Sequence, residues 1–115
     1  MAGFRRIVED YEARLAPGAA GVRGSGGGGK VEHERFDDGE VQFELRVHGL
    51  QIADGSQLEV RLNGAVVATT DVDTGRSSLR LSNRKGHEIP VVRAGDRLEV
   101  AHRSVVLLEG IFQPD

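Results

Sequence analysis

Two stretches of alternating hydrophobic and polar residues fill much of the chain after residue 40, and they match each other. Residues 55–72 read GSQLEVRLNGAVVATTDV, and residues 95–112 read GDRLEVAHRSVVLLEGIF. At a constant offset of 40, the identical pairs are Gly55/Gly95, Leu58/Leu98, Glu59/Glu99, Val60/Val100 and Val66/Val106. A period of two is typical of half-buried strands, and further alternating residues precede each stretch. The pattern therefore predicts two three-stranded units packed into one β core.

Turn residues divide this region into strands. The triplet Asp37-Asp38-Gly39 separates 31–36 from 40–48, and Asn63-Gly64 separates 57–62 from 65–72. Asn-Gly between alternating strands is a strong hairpin signal, because both central residues of the turn need a positive φ. The resulting pairs are Leu62 with Ala65, Val60 with Val67, Leu58 with Thr69, Val100 with Leu107, and His33 with Phe43.

The first thirty residues have a different pattern. Apolar residues at helical spacing predict an amphipathic helix within residues 1–15; they are Phe4, Ile7, Val8, Tyr11 and Leu15. Residues 16–30 are rich in glycine and predict a flexible linker, either natural or an engineered spacer. The last strand, 105–112, is apolar on both faces and needs cover on both. We expect the helix to supply that cover, or to bind another protein.

Together these elements predict an all-β fold. It is a small antiparallel sandwich or partly open barrel of six to seven strands. Its two degenerate, hairpin-containing repeats span about 40–75 and 76–113, and one N-terminal amphipathic helix is tethered to it.

Composition narrows the function classes. The 115 residues contain no cysteine, which excludes disulfides and thiolate metal sites. No apolar run is long enough to span a membrane, and no secretory signal is evident, so a soluble cytoplasmic protein is expected. The net charge of −3, the two lysines and an aromatic content of 4% argue against nucleic-acid binding. No histidine pair has metal-ligand spacing, and no cofactor is expected.

Charge is unevenly placed along the chain. Six carboxylates lie between Glu32 and Glu44, whereas residues 76–97 carry six basic side chains. These segments predict an acidic face and a basic face that recognise a partner or each other. The alternative is that they are ordinary solvated faces of strands. The long loop 83–95 is the first place to expect binding. The candidate partner-binding residues are Arg84, Lys85, His87 and Arg93 in this loop, and Phe4, Ile7 and Tyr11 on the helix.

One segment suggests chemistry. Residues 58–79, LEVRLNGAVVATTDVDTGRSSL, resemble the active-site region of retroviral-type aspartic proteases, with a strand, a Gly turn, a strand and Asp-Thr-Gly. The resemblance implies a dimeric all-β hydrolase in which Asp73 shares a proton with its twin. It departs from that family at Asp71, where a buried apolar residue belongs, and at Arg76, where a small one belongs.

The sequence thus favours a non-enzymatic module that binds another protein. A dimeric aspartic hydrolase that uses Asp73 is the first alternative. A purely structural domain of a larger assembly is the second. The ligand and the oligomeric state stay open.

Overall fold

The computed structural model describes residues 4–18 and 27–115, and within them the secondary structure is almost entirely strand. The strands are β1 (Ile7–Pro17), β2 (Gly28–Phe36), β3 (Val41–His48), β4 (Gln57–Leu62), β5 (Ala65–Asp71), β6 (Ser77–Ser82), β7 (Arg97–His102), β8 (Val105–Ile111) and β9 (Gln113–Pro114). A single 3₁₀ turn, Asn83–Lys85, follows β6. The all-β prediction is confirmed, although the described part of the chain has nine strands rather than six to seven.

The predicted N-terminal helix is wrong, because Ile7–Pro17 is strand β1. It pairs with β2 along most of its length, and Ala16 and Pro17 pair with β8. The inward side chains Tyr11, Ala13 and Leu15 lie two residues apart. Tyr11 and Leu15 also satisfy the four-residue spacing of a helix, so their spacing fits both structures. An isolated helix of this length is marginal in water. As a strand, the same segment pairs with β2 along one edge, and with β8 and β9 along parts of the other edge.

The strands form one antiparallel, barrel-like sheet that is nearly closed. Its order is β5-β4-β7-β8-β1-β2-β3-β6, and β9 adds to β1. The first and last strands of this order, β5 and β6, are joined by a short turn. Apart from one isolated bridge between Asp73 and Arg76, the described residues form no ladder between them. Side chains connect them instead: the Thr70 and Ser77 hydroxyls lie 2.8 Å apart. We call this junction the seam.

The predicted hairpins β2–β3, β4–β5 and β7–β8 are present, but two registers differ from the prediction. His33 faces Phe43 and Leu62 faces Ala65, as expected. A bulge after Val60, however, shifts its partner to Ala68 and that of Leu58 to Thr70. A bulge after Val100 likewise shifts its partner to Leu108. A bulge inserts one unpaired residue, and the turn residues give no sign of it.

The β4–β5 and β7–β8 hairpins share backbone contacts at the same offset of 40. The amide of Gly55 donates to Val72 O, and that of Gly95 donates to Phe112 O, both at 2.8 Å. The two hairpins also pair with each other through β4 and β7, with Val60 opposite Val100. The two-repeat organisation of the whole chain stays a prediction.

The core lies inside the curved sheet. Its largest fully buried side chains are Phe43, Phe112, Leu45, Leu58, Leu98, Leu108, Val31, Val60 and Val100. The connection from β6 to β7 contributes Val92, which is 2% exposed, and Ile89 packs against the same cluster. The long loop is therefore partly a cover for the core. No helix in the described ranges is long and apolar enough to cross a membrane.

The glycine-rich segment is structured at its C-terminal end. Residues 19–26 of the predicted linker lie outside the described residues, but Gly28 and Gly29 begin β2. A Cβ at Gly29 would collide with the carbonyl oxygen of Arg46 and would lie 2.8 Å from Val47 Cγ1. Gly29 thus permits a close approach of two backbones, and the linker prediction is too long at this end.

Candidate functional site

The apolar residues expected to form a binding stripe near the N-terminus do not share one surface. Phe4 precedes β1 and is fully exposed, and Ile7 is 48% exposed. Tyr11 points into the sheet, where its ring centroid lies 6.4 Å from that of His33. The stripe depended on a helix, so the strand separates its members.

The basic loop residues are also dispersed, and some of them pair within the chain. Arg84 lies in the 3₁₀ turn and forms an ion pair of 2.7 Å with Asp38. His87 Nδ1 accepts a hydrogen bond from the backbone amide of Ser82. Lys85 and Arg93 are exposed. Elsewhere Arg80 lies 3.6 Å from Glu44, so part of the basic segment meets the acidic one inside the molecule.

A polar network that the sequence did not indicate surrounds the buried carboxylate of Glu40. The hydroxyl of Ser82 donates to it at 2.7 Å, the amide of Gln42 donates at 3.1 Å, and the guanidinium of Arg5 also donates to it. These donors, Ser82 foremost, lower the pKa of Glu40 to about 2. Arg5 also lies over the Phe36 ring, 3.9 Å from its centroid. The partners are up to 42 residues apart, so no local pattern could identify them.

An acidic cluster lies on the outer face of β1 and β2. Asp10, Glu32 and Glu34 each place a carboxylate oxygen within 4.8 Å of the other two. Burial, and then neighbouring carboxylates, raise the pKa of Asp10 and of Glu34. Carboxylate oxygens are the ligands of hard cations such as Ca²⁺. Exposed acidic groups are common on solvated strand faces, and this cluster alone does not identify a metal site.

A broad, open cleft lies at the seam. It encloses about 950 Å³ and is lined by Arg46, Val47, His48, Asp71, Asp73, Thr74, Arg76, Ser77 and Ser78. We call it the seam cleft. It forms where the ends of β3, β5 and β6 meet the turn that joins β5 to β6.

The Asp-Thr-Gly triplet forms that turn. Asp73 and Arg76 exchange two backbone hydrogen bonds, of 2.8 and 3.0 Å. Thr74 and Gly75 both have positive φ, 53° and 71°. These angles are those of a tight type I′ hairpin turn. The carboxylate of Asp73 is exposed and accepts a hydrogen bond from the Thr74 hydroxyl at 3.0 Å.

The seam cleft combines both charges with hydroxyl groups. Asp71 and Arg76 are exposed, and neither takes part in an ion pair with another described residue. Arg46 pairs with Glu44 at 3.2 Å but remains 72% exposed. The cleft can therefore accept hydrogen bonds at one point and donate them at another. Of the residues predicted as sites from the sequence, it contains Asp73 alone.

A second cleft, of about 520 Å³, lies beside the β7–β8 turn. It is lined by Asp54, Gly55, Ser56, Gln57, Glu59, His102, Arg103 and Ser104, and we call it the turn cleft. The carboxylate of Asp54 accepts a hydrogen bond from the backbone amide of Thr74 at 2.8 Å. This bond links the wall of the turn cleft to the seam cleft.

Comparisons with known proteins do not supply a function. No protein-family model matches the chain, and no curated protein is significantly similar to it. A functional assignment therefore depends on the geometry of these clefts.

Proposed function

We propose that the chain is a non-enzymatic binding module that holds an extended, charged peptide segment of another protein in the seam cleft. One observation carries this proposal. The sheet stops short of closing at β5 and β6, beside a cleft that contains a carboxylate and a guanidinium without ion-pair partners among the described residues.

The seam suits an extended peptide for a reason of backbone chemistry. Strand edges that lack a neighbouring strand offer amide and carbonyl groups, and an extended peptide can satisfy them by adding alongside. The hydroxyls of Thr74, Ser77 and Ser78 also line the cleft, and a hydroxyl can both donate and accept hydrogen bonds. Ser77 is the most engaged of the three, because its hydroxyl donates to Asp71 O at 2.7 Å.

Charge provides the specificity in this proposal. An acidic side chain of the peptide would lie at Arg76, where a guanidinium can bind a carboxylate with two hydrogen bonds. A basic side chain would lie at Asp71. Exposed pairs of this kind contribute little affinity but reject the wrong charge.

A reversal of charge in the cleft tests the proposal. The full chain, carrying Arg76→Glu or Asp71→Lys, is used to select from a displayed library of random octapeptides. The wild type should enrich peptides with an acidic position, and Arg76→Glu should exchange that preference for a basic one. Arg6→Glu makes the same change at an exposed arginine before β1 and should select the wild-type sequences. Failure of the wild type to enrich any sequence, or an unchanged preference in Arg76→Glu, would refute the proposal.

The aspartic hydrolase is the second candidate, because Asp73 lines the same cleft. The selected peptides are incubated with the wild type and with Asp73→Asn, and the products are identified by mass spectrometry. Cleavage by the wild type that Asp73→Asn lacks would replace the binding proposal with the hydrolase. Intact peptides that both proteins bind would favour the binding module.

A further inference from the structure

The turn between β7 and β8 has backbone angles that its residues disfavour. Arg103 and Ser104 have φ of 50° and 68°. The corresponding turn between β4 and β5 has φ of 50° and 87°, and there the residues are Asn63 and Gly64, the pair that this turn prefers. Arginine and serine in the left-handed region store strain. The φ angles of this turn therefore do not explain why arginine and serine occupy it.

Strained residues coincide with the clefts. Four non-glycine residues in the described ranges have positive φ: Asn63, Thr74, Arg103 and Ser104. Thr74 lines the seam cleft, and Arg103 and Ser104 line the turn cleft. Asn63 has a structural role instead, since its side-chain oxygen accepts a hydrogen bond from the amide of Arg97 at 2.9 Å. Residues with strained backbone angles cluster at ligand-binding sites, where their side chains contribute to binding.

Each acidic side chain that lines the turn cleft already has a partner within the chain. Glu59 is paired with Arg61 at 2.6 Å, and Asp54 accepts the Thr74 amide. Arg103 has no ion pair with another described residue. Arg103 lines the cleft together with Ser104 and Ser56, so the residues around this space carry a guanidinium and two hydroxyls, all of which can donate hydrogen bonds.

We propose that the turn cleft binds a phosphate group, with Arg103 as the charged donor and the hydroxyls of Ser104 and Ser56 as neutral donors. A phosphate group has three strong acceptor oxygens, which match a guanidinium fork and two hydroxyls. His102 forms one wall, and its Nδ1 lies 3.2 Å from Gln57 O, to which it donates. This site is separate from the peptide cleft and does not depend on the function proposed for it.

The β4–β5 hairpin supplies the variant that tests this site. The double substitution Arg103→Asn and Ser104→Gly copies the turn Asn63-Gly64 into the β7–β8 hairpin of the full chain. The proposal expects two opposite effects: the melting temperature rises by about 4 °C, and phosphate affinity falls at least tenfold. Arg6→Asn, which removes an exposed arginine elsewhere, should change neither quantity.

Binding is measured by NMR titration with inorganic phosphate at constant ionic strength, and again with phosphoserine. Shifts at residues 102–104 in the wild type, and their loss in the double variant, would support the site. The tighter of the two ligands would show whether the group is bound as a free ion or as a substituent. The proposal fails if neither ligand shifts these residues, or if the double variant binds as well as the wild type. A double variant no more stable than the wild type would overturn the argument from strain.

Discussion

The close approach of β2 to β3 at Gly29 leads to a quantitative prediction, the effect of Gly29→Ala. The new methyl carbon would collide with Arg46 O, and would lie 2.8 Å from Val47 Cγ1 and 3.0 Å from Val47 Cα. Ordinary van der Waals contacts begin near 3.4 Å, so the Arg46 carbonyl oxygen and the new methyl carbon must move apart by about 1 Å. The obstacle is mainly backbone, which cannot rotate away.

The expected cost follows from opposing contributions. Inserting a methyl group into a packed site costs about 1–3 kcal/mol, and stretching the adjacent ladder hydrogen bonds adds up to about 1 kcal/mol. Replacing glycine by alanine lowers the conformational entropy of the unfolded chain, which stabilises the folded state by about 0.4–1 kcal/mol. The free energy of unfolding should therefore fall by about 2 kcal/mol. For a domain of this size the melting temperature should fall by about 8 °C.

The assay is urea denaturation followed by circular dichroism, with Gly18→Ala as the matched control. A Cβ at Gly18 would meet the flexible Glu109 carboxylate, whose carbon lies 3.3 Å away, so this variant should unfold within about 0.5 kcal/mol of the wild type. Gly110→Ala is a second test at another strand contact, since its Cβ would collide with Arg14 O. Equal denaturation midpoints for Gly29→Ala and Gly18→Ala would refute the close approach and return residues 28–30 to a linker.

Three further predictions concern buried groups. Val60 is fully buried, so Val60→Asp should unfold the domain because an unpaired buried carboxylate is costly; a folded spectrum by circular dichroism would contradict the inward placement of Val60. Burial lowers the pKa of His33 below its usual 6.5. Below pH 6.5 the unfolded chain therefore binds a proton that the folded chain resists, and the melting temperature should fall on acidification, less so in His33→Gln. The pKa of Glu40 is about 2 against 4.5 in an unfolded chain, so its stabilising contribution is present above pH 4.5 and is lost as the pH falls toward 2. Urea midpoints measured from pH 5 to 2 should show a smaller decline in Glu40→Gln, and an equal decline would contradict the role of its hydrogen bonds.

Local signals predicted the hairpins and their turns well. The Asn63-Gly64 turn follows from backbone preference alone, and the alternation around Val60 identified its inward face. The bulges after Val60 and Val100 escaped prediction, because a single unpaired residue changes the register without changing the alternation on either side.

The candidate sites were predicted less well, because they combine distant residues. Asp73 was singled out from its triplet, but its neighbours in the seam cleft come from β3, β5 and β6. The strain at Arg103 and Ser104 became visible only when φ angles could be compared between two hairpins. Arg84 forms an ion pair with Asp38 and its side chain remains 55% exposed, so its role in binding a partner stays a prediction.

Local periodicity and turn chemistry were sufficient to predict the β class, the hairpin turns and most inward positions. The conformation of residues 7–17 depends instead on their neighbours in the sheet. The spacing of Tyr11 and Leu15 is compatible with helix or strand, and the strand is favoured because β2 pairs along one edge of β1 while β8 and β9 pair with parts of the other edge. Tertiary structure also decided where the sheet stays open, because closure at the seam depends on how eight strands curve together rather than on any one segment.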